Sequence, residues 1–193
     1  MLDQVQKPTR YTGGEMNTQL KPWDSAKLHF AFCFPDTYEV GMSHLGMKIL
    51  YAAMNQQPDM LCERAFMPWV DMMDLMKQEK VPLFTLESRS PLSAFDVVGF
   101  TLQYEMSYSN ILAMLELGGI PLLRENRREE DPIVVAGGPC AFNPEPLADF
   151  IDAFMVGDGE EQILDLNRVI MREPHDDPQA PVRHPRRVRP GAL

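Results

Sequence analysis

The chain has 193 residues, 45% of them hydrophobic and 24% charged, with a formal net charge of −10; this suits one α/β domain with a buried core and excludes disorder along its whole length. The acidic balance argues against a general nucleic-acid binder, which needs basic surface to neutralise phosphate. No apolar run approaches the roughly 18–20 residues that span a bilayer, and the start MLDQVQKPTR lacks the apolar core of a signal peptide, so a cytoplasmic protein without membrane contact is expected.

Residues 1–27 hold Pro8, Gly13, Gly14 and Pro22 and few apolar positions, and read as an irregular arm. KLHFAFCF, 27–34, is the apolar and aromatic run of a strand buried on both faces. Pro35 and Asp36 stop it, and in 41–57 the apolar positions Leu45, Ile49, Ala52 and Ala53 follow a helical repeat. A weaker strand is expected at 61–66 and a short helix at 69–79, where Met72, Met73 and Met76 fall near helical spacing and suit adaptable core packing. A brief extended piece follows at 81–86. DVVGFTL, 96–102, is the next clear strand, and 107–117 is a helix stopped by Gly118 and Gly119. A strand at 133–136 ends in Gly137, Gly138 and Pro139, a short helix is expected at 146–150, a strand at 153–156 ends in GDGEE, and 160–171 closes as a helix. Strands alternating with helices predict an α/β fold, an open doubly wound parallel sheet of about five strands spanning 28–172. From 173 to 193 the sequence turns rich in Pro and Arg without an apolar repeat, which predicts a disordered tail; its Arg183, Arg186, Arg187 and Arg189 supply an alternative reading as an RNA contact.

In open parallel sheets the ligand lies outside the carboxyl ends of the strands, near the point where strand order reverses. Four distinctive loops fall at such ends: PDTYEVGMSHLG, QYEMSYSN, GGPCAFNPEP and GDGEE. None is a GxGxxG fingerprint, and the chain has no GxxxxGK[ST] loop, so nucleotide binding has little support. Cys33, Cys62 and Cys140 are far apart, with no CxxC or CxxxCxxC, which leaves no self-contained metal, iron–sulfur or disulfide site. His44 suits a polar residue at a helix start. Glu39, Glu105, Asp158, Glu160 and Glu161 fit either a stand-alone enzyme acting on a small molecule through strand-end carboxylates or acids that stabilise helix dipoles. Tyr104 and Tyr108 could lie against a flat ligand or cover the sheet edge.

FPDTYEVGMSHLGMKILY, ERAFMPW, PLFTLESRSPLSAFDVVGFTLQYEMSYSNIL, AGGPCAFNPEPLADFIDAF and GDGEE, in this order over about residues 8–170, resemble the N-terminal cobalamin (B12)-binding-like domain of a radical SAM family, the fused kind without a settled biochemical function. The resemblance implies a flavodoxin-like, Rossmann-type domain that precedes a radical SAM barrel, its partner in cis or in trans. It further implies a cofactor-binding or docking module that is not catalytic by itself. The barrel's CxxxCxxC, which would carry a [4Fe-4S] cluster and bind S-adenosylmethionine, is missing from this chain. Many B12 domains carry DxHxxG; here the loop reads Asp36-Thr-Tyr-Glu-Val-Gly41, so cobalamin would bind without histidine ligation. By that analogy Asp36, Tyr38, Glu39, Gly41, Ser43, Thr101, Gln103, Tyr104, Gly137, Gly138, Pro139, Gly157, Asp158, Gly159 and Glu160 would surround the corrin. A relic domain that binds no cofactor and packs on the barrel is the other outcome the resemblance leaves open.

Overall fold

Seven buried residues in a row, Leu28–Phe34, make β1, and its alternation decides the architecture. Leu28, Phe30, Phe32 and Phe34 enter one core cluster while Ala31 and Cys33 enter the other, so the strand is sandwiched between two helical layers. The computed structural model describes residues 1–171; the stretch 173–193, with its four arginines and the RNA reading attached to them, lies outside the described residues.

Four more strands join β1: β2 (Met60–Phe66), β3 (Val97–Thr101), β4 (Ile133–Gly137) and β5 (Ala153–Met155). All pairings are parallel, in the order β2-β1-β3-β4-β5, the doubly wound order of flavodoxin-like folds with its reversal between β1 and β3. Helices α2 (Leu45–Gln56) and α5 (Gly159–Met171) share one face: Met47, Tyr51, Met54 and Ile163 pack with the β1 phenylalanines. Helices α3 (Val70–Glu79) and α4 (Tyr108–Leu117) cover the other, with Met72, Met76, Ile111, Met114 and Leu115 in its cluster.

Two expected elements differ. The helix expected at 41–57 is two helices, α1 (Tyr38–Ser43) and α2, broken at His44, whose φ of −80° and ψ of 114° are extended and whose Nδ1 accepts the Met47 N–H at 3.2 Å as the N-cap of α2. Between β4 and β5, where a short helix is expected at 146–150, there are two 3-10 turns, Pro139–Phe142 and Glu145–Leu147. Pro139, Pro144 and Pro146 each lack the N–H that a continuous helix needs.

β2 is an edge strand with charged residues at its centre, yet every residue is buried, because its outer side is closed by groups from elsewhere. Asn55 pairs with both the N–H and the carbonyl of Cys62, at 3.0 and 2.9 Å. Glu87 accepts the Arg64 N–H at 2.7 Å, Leu86 donates to the Arg64 carbonyl at 2.8 Å, and Lys21 donates to the Met60 carbonyl at 2.7 Å. Residues 81–86 therefore add no strand to the sheet; Phe84 forms a single antiparallel bridge with Pro91 and the segment seals the edge of β2.

The Arg64 side chain organises this edge. Its Nε donates to Glu87 at 2.7 Å, its Nη2 donates to Glu15 at 3.0 Å, and its guanidinium lies 4.5 Å from the Tyr51 ring centroid. Burial pushes the Glu87 carboxyl above its ordinary range, against the pull of Arg64. Glu15 belongs to the first 27 residues, which run as a strap over β2 with 3-10 turns at Leu2–Gln4, Pro8–Tyr11 and Trp23–Ser25.

Candidate functional site at the strand ends

The carboxyl ends of the five strands carry the expected loops, and many of the side chains there turn inward to protein. In the β1 loop the Asp36 carboxylate accepts the Thr37 N–H at 2.6 Å and the Tyr104 hydroxyl at 3.1 Å, which ties the β1 and β3 ends together across the reversal point. The hydrogen bond to Asp36 and its charge raise the pKa of Tyr104 above that of a free phenol. Tyr38 points away, toward the strap, donating to Glu15 at 3.0 Å and meeting Phe66 edge-on. Gly41 is buried, and a Cβ there would meet the Phe66 ring at 2.3 Å, so helix α1 sits on β2 only because the side chain is missing. Ser43 donates back to the Glu39 carbonyl one turn earlier at 2.6 Å.

Glu39 is held by the strap, with Arg10 Nε at 2.9 Å and Lys7 Nζ at 3.3 Å. Its slight burial works against ionisation, but the hydrogen bonds from Arg10, its own backbone N–H and Lys7, with the Arg10 charge, together lower the Glu39 pKa. Arg10 also lies 5.3 Å from the Trp69 ring centroid, and Tyr11 accepts the Trp69 N–H at 3.1 Å, so the strap crosses the exits of β1 and β2. A small cavity lies beneath it, lined by Tyr11, Tyr38, Phe66, Met67 and Phe84 among others.

At the β3 end the Gln103 amide donates to the buried Thr101 hydroxyl. Gly137, Gly138 and Pro139 form the β4 turn. Gly138 has φ 111° and ψ −176°, a conformation open essentially to glycine, and a Cβ there would sit 2.8 Å from the Leu102 carbonyl oxygen. The Leu102 backbone grips the turn from both sides: its N–H donates to the Gly137 carbonyl at 2.7 Å and its carbonyl accepts the Cys140 N–H at 3.1 Å. A Cβ on Gly137 would meet Met155 at 3.3 Å. The room these glycines leave is filled by protein atoms, Leu102 backbone at Gly138 and Met155 at Gly137. Gly157, Asp158 and Glu160 are exposed, with the Gly157 turn steadied by Gln162 donating to the Val156 carbonyl at 3.0 Å, and Gly159 opens α5 against Leu50.

Among the described residues no cluster of three or more His, Cys, Asp or Glu could hold a metal ion, and no helix is long and apolar enough to cross a membrane. Cys33 and Cys62 are buried, and burial pushes the half-buried Cys140 thiol above its ordinary pKa, with Glu105 adding to the shift, so none is primed as a thiolate.

The sequence reading missed what most distinguishes this edge. The connections leaving the strands' carboxyl ends expose Val40 and Leu45 after β1, Trp69 and Val70 after β2, Tyr104 and Met106 after β3, Phe142 after β4 and Val156 after β5. Met106 is 85% exposed and Phe142 72%. The first stretches after the strands, 35–45, 67–71, 102–107, 138–147 and 156–161, contain Asp36, Glu39, Asp71, Glu105, Glu145, Asp158, Glu160 and Glu161 and no Lys or Arg. The strap's Lys7 and Arg10 bring cations to Glu39, and Arg10 also lies over the Trp69 ring. Bulky apolar residues set beside Gly and Pro in otherwise polar loops were the available signal.

A family model described as the N-terminal region of radical SAM proteins matches residues 46–181. An uncharacterized protein of Methanocaldococcus jannaschii is 30% identical over 144 residues, which is 74% of this chain and 26% of that protein. The chain thus spans about a quarter of the length of the relative it matches. No solved structure matches. With the flavodoxin-like strand order, and with the family model covering well over half of its length, the chain belongs to the radical SAM N-terminal family.

Proposed function

We propose that this domain is a docking module, not catalytic by itself, that seats a radical SAM barrel on the carboxyl-end edge of its sheet. The observation that carries this reading is that exposed large apolar side chains occur in the connection leaving every strand, a recurrence at one edge of the sheet that suits an interaction site. A protein partner fits better than a small anion, because acids outnumber the strap's Lys7 and Arg10 beside these side chains and would repel a phosphate or phosphodiester. The fitting partner surface has an apolar centre and basic residues at its margin. The family supports this choice of occupant, and the relative extends over roughly four times the matched length, which leaves room for such a barrel.

Cobalamin bound without histidine ligation is the second reading, and the reversal of strand order between β1 and β3, where ligands of such sheets lie, is what favours it. Two measurements separate the readings. Met106→Glu with Phe142→Glu should leave stability within about 0.5 kcal/mol of wild type, as for exposed sites generally, and weaken association with a purified radical SAM barrel of the same protein at least tenfold. Unchanged association would sink the docking reading. Titration with hydroxocobalamin should give no saturable absorbance change; a saturable change abolished by substitutions at the strand ends would replace docking with cofactor binding.

A further inference from the structure

At the opposite end of β1 the strap is fastened by a histidine whose two ring nitrogens both face acceptors. His29 is buried, with Nδ1 3.1 Å from Asp96 Oδ2 and Nε2 3.0 Å from the Trp23 carbonyl oxygen. A neutral imidazole has one N–H and one lone pair. Either neutral tautomer would therefore leave a nitrogen lone pair against an oxygen lone pair at hydrogen-bond distance. Moving a proton to Asp96 would let a neutral ring donate from Nε2 to Trp23 and accept at Nδ1, but Asp96 Oδ2 already accepts the His29 backbone N–H at 2.8 Å, a bond that favours the ionised carboxylate and so keeps the proton on the ring. The Trp23 ring lies flat on the imidazole, 4.1 Å between centroids and 14° between planes, the geometry in which an indole face attracts a cation. Phe95 closes the far side of Trp23, edge-on at 5.1 Å.

We propose that His29 is held as an imidazolium and acts as a proton-dependent clasp for the N-terminal strap, its two N–H groups bridging the Asp96 carboxylate and the backbone of Trp23. Losing one proton breaks one of the two bridges and removes the charge under the indole, so the root of the strap loosens where it leaves the sheet. The ionisable groups acting on the ring are Asp96, at the entry to β3, and Glu63 of β2, both acidic. Burial by itself opposes the charged ring, but the hydrogen bonds to Asp96 and Trp23 outweigh it and raise the His29 pKa. The sign follows: the clasp is complete below the ordinary histidine value of about 6.5 and is lost as pH rises through the higher folded value. Beyond the clasp the strap covers the edge of β2 and reaches Glu39 at the strand-end face, so the clasp acts on a segment that borders the docking surface.

The test is a ring-nitrogen NMR titration of the 193-residue chain, with His29 assigned by the signal lost in His29→Gln, together with amide exchange of Gln19 and Ser25 corrected for intrinsic rates. The expected result is two protonated ring nitrogens at pH 7, a midpoint above about 6.5, and strap exchange that speeds several-fold over the same pH interval. In Asp96→Asn the midpoint should fall and the strap exchange faster at pH 7; in His29→Phe, which keeps the stack without the charge, strap exchange should be flat across the interval. A single protonated ring nitrogen at pH 7 overturns the charge assignment, and a raised midpoint with unchanged strap exchange overturns the clasp; both are read on the wild-type chain even if a variant fails to fold.

Discussion

Replacing Gly138 by alanine asks whether the Gly-Gly-Pro turn exists for the protein or for a ligand. The added methyl faces two obstacles that are independent of any cofactor. The backbone stands at φ 111° and ψ −176°, where a residue with a Cβ carries about 1–3 kcal/mol of strain. The methyl would also lie 2.8 Å from the Leu102 carbonyl oxygen, backbone that cannot swing aside as a side-chain tip can. Relieving the overlap means lengthening one of the two bonds by which Leu102 holds the turn, to Gly137 or to Cys140, at roughly 1 kcal/mol. The sum is about 2–4 kcal/mol, or a fall in Tm of roughly 5–15 °C for a domain of this size. Urea unfolding of the ligand-free chain, read by far-UV circular dichroism with an unchanged m-value, measures it directly. Gly119→Ala is the control: its φ is also positive, at 71°, but no atom lies within 4 Å of the new Cβ, so the cost should be only about 1 kcal/mol. If Gly138→Ala costs no more than Gly119→Ala, the turn is not explained by its grip on Leu102.

Arg64→Ala leaves Glu87 buried without its cation and unfastens Glu15, and should cost about 3–5 kcal/mol by urea unfolding, whereas Lys7→Ala, which removes an exposed pair, should cost less than about 1 kcal/mol; equal costs would refute the role given to Arg64. Burial opposes ionisation of Glu15, but its own backbone N–H and the Arg64 charge outweigh it and hold its pKa low. A depressed carboxylate stabilises fully above the unfolded value of about 4.3 and loses that contribution as pH falls through the folded value. The stability gap between wild type and Glu15→Gln should therefore be present at pH 6 and shrink toward pH 3, and a gap constant across that range would remove Glu15 from the account of the strap.

The sheet was legible because its strands obey simple patterns. KLHFAFCF and DVVGFTL are apolar on both faces and can only be buried strands, and the Gly-rich turns mark where they end. β2 was the weak case, since Glu63 and Arg64 interrupt its apolar run; they are tolerated by partners that lie elsewhere in the chain, Thr85 and Ser88 for Glu63, and Glu87 and Glu15 for Arg64. For the same reason the strap looked only irregular: its anchors are single polar contacts to distant positions, such as Gln19 to Tyr51, and no local repeat announces them. His44 was legible as a residue at a helix start, and it caps α2 through its bond to Met47; the short α1 before it carries no apolar repeat that would announce a separate helix. At the site, the sequence located the strand-end loops but not their character. Glycine and carboxylate suggested a ligand cradle, while the exposure of Met106 and Phe142 is set by how the chain packs and no local pattern announces it.

The central claim is that the strand-end face is covered by a radical SAM barrel. Hydrogen–deuterium exchange of residues 1–193 alone, compared with the same residues in the presence of the barrel or joined to it, tests this most directly. The account predicts slowed exchange at 103–107, 139–143 and 156–160, with the bodies of α3 and α4, residues 73–79 and 111–117, unchanged. Slowing confined to α3 and α4, or no slowing at the strand ends, would contradict it.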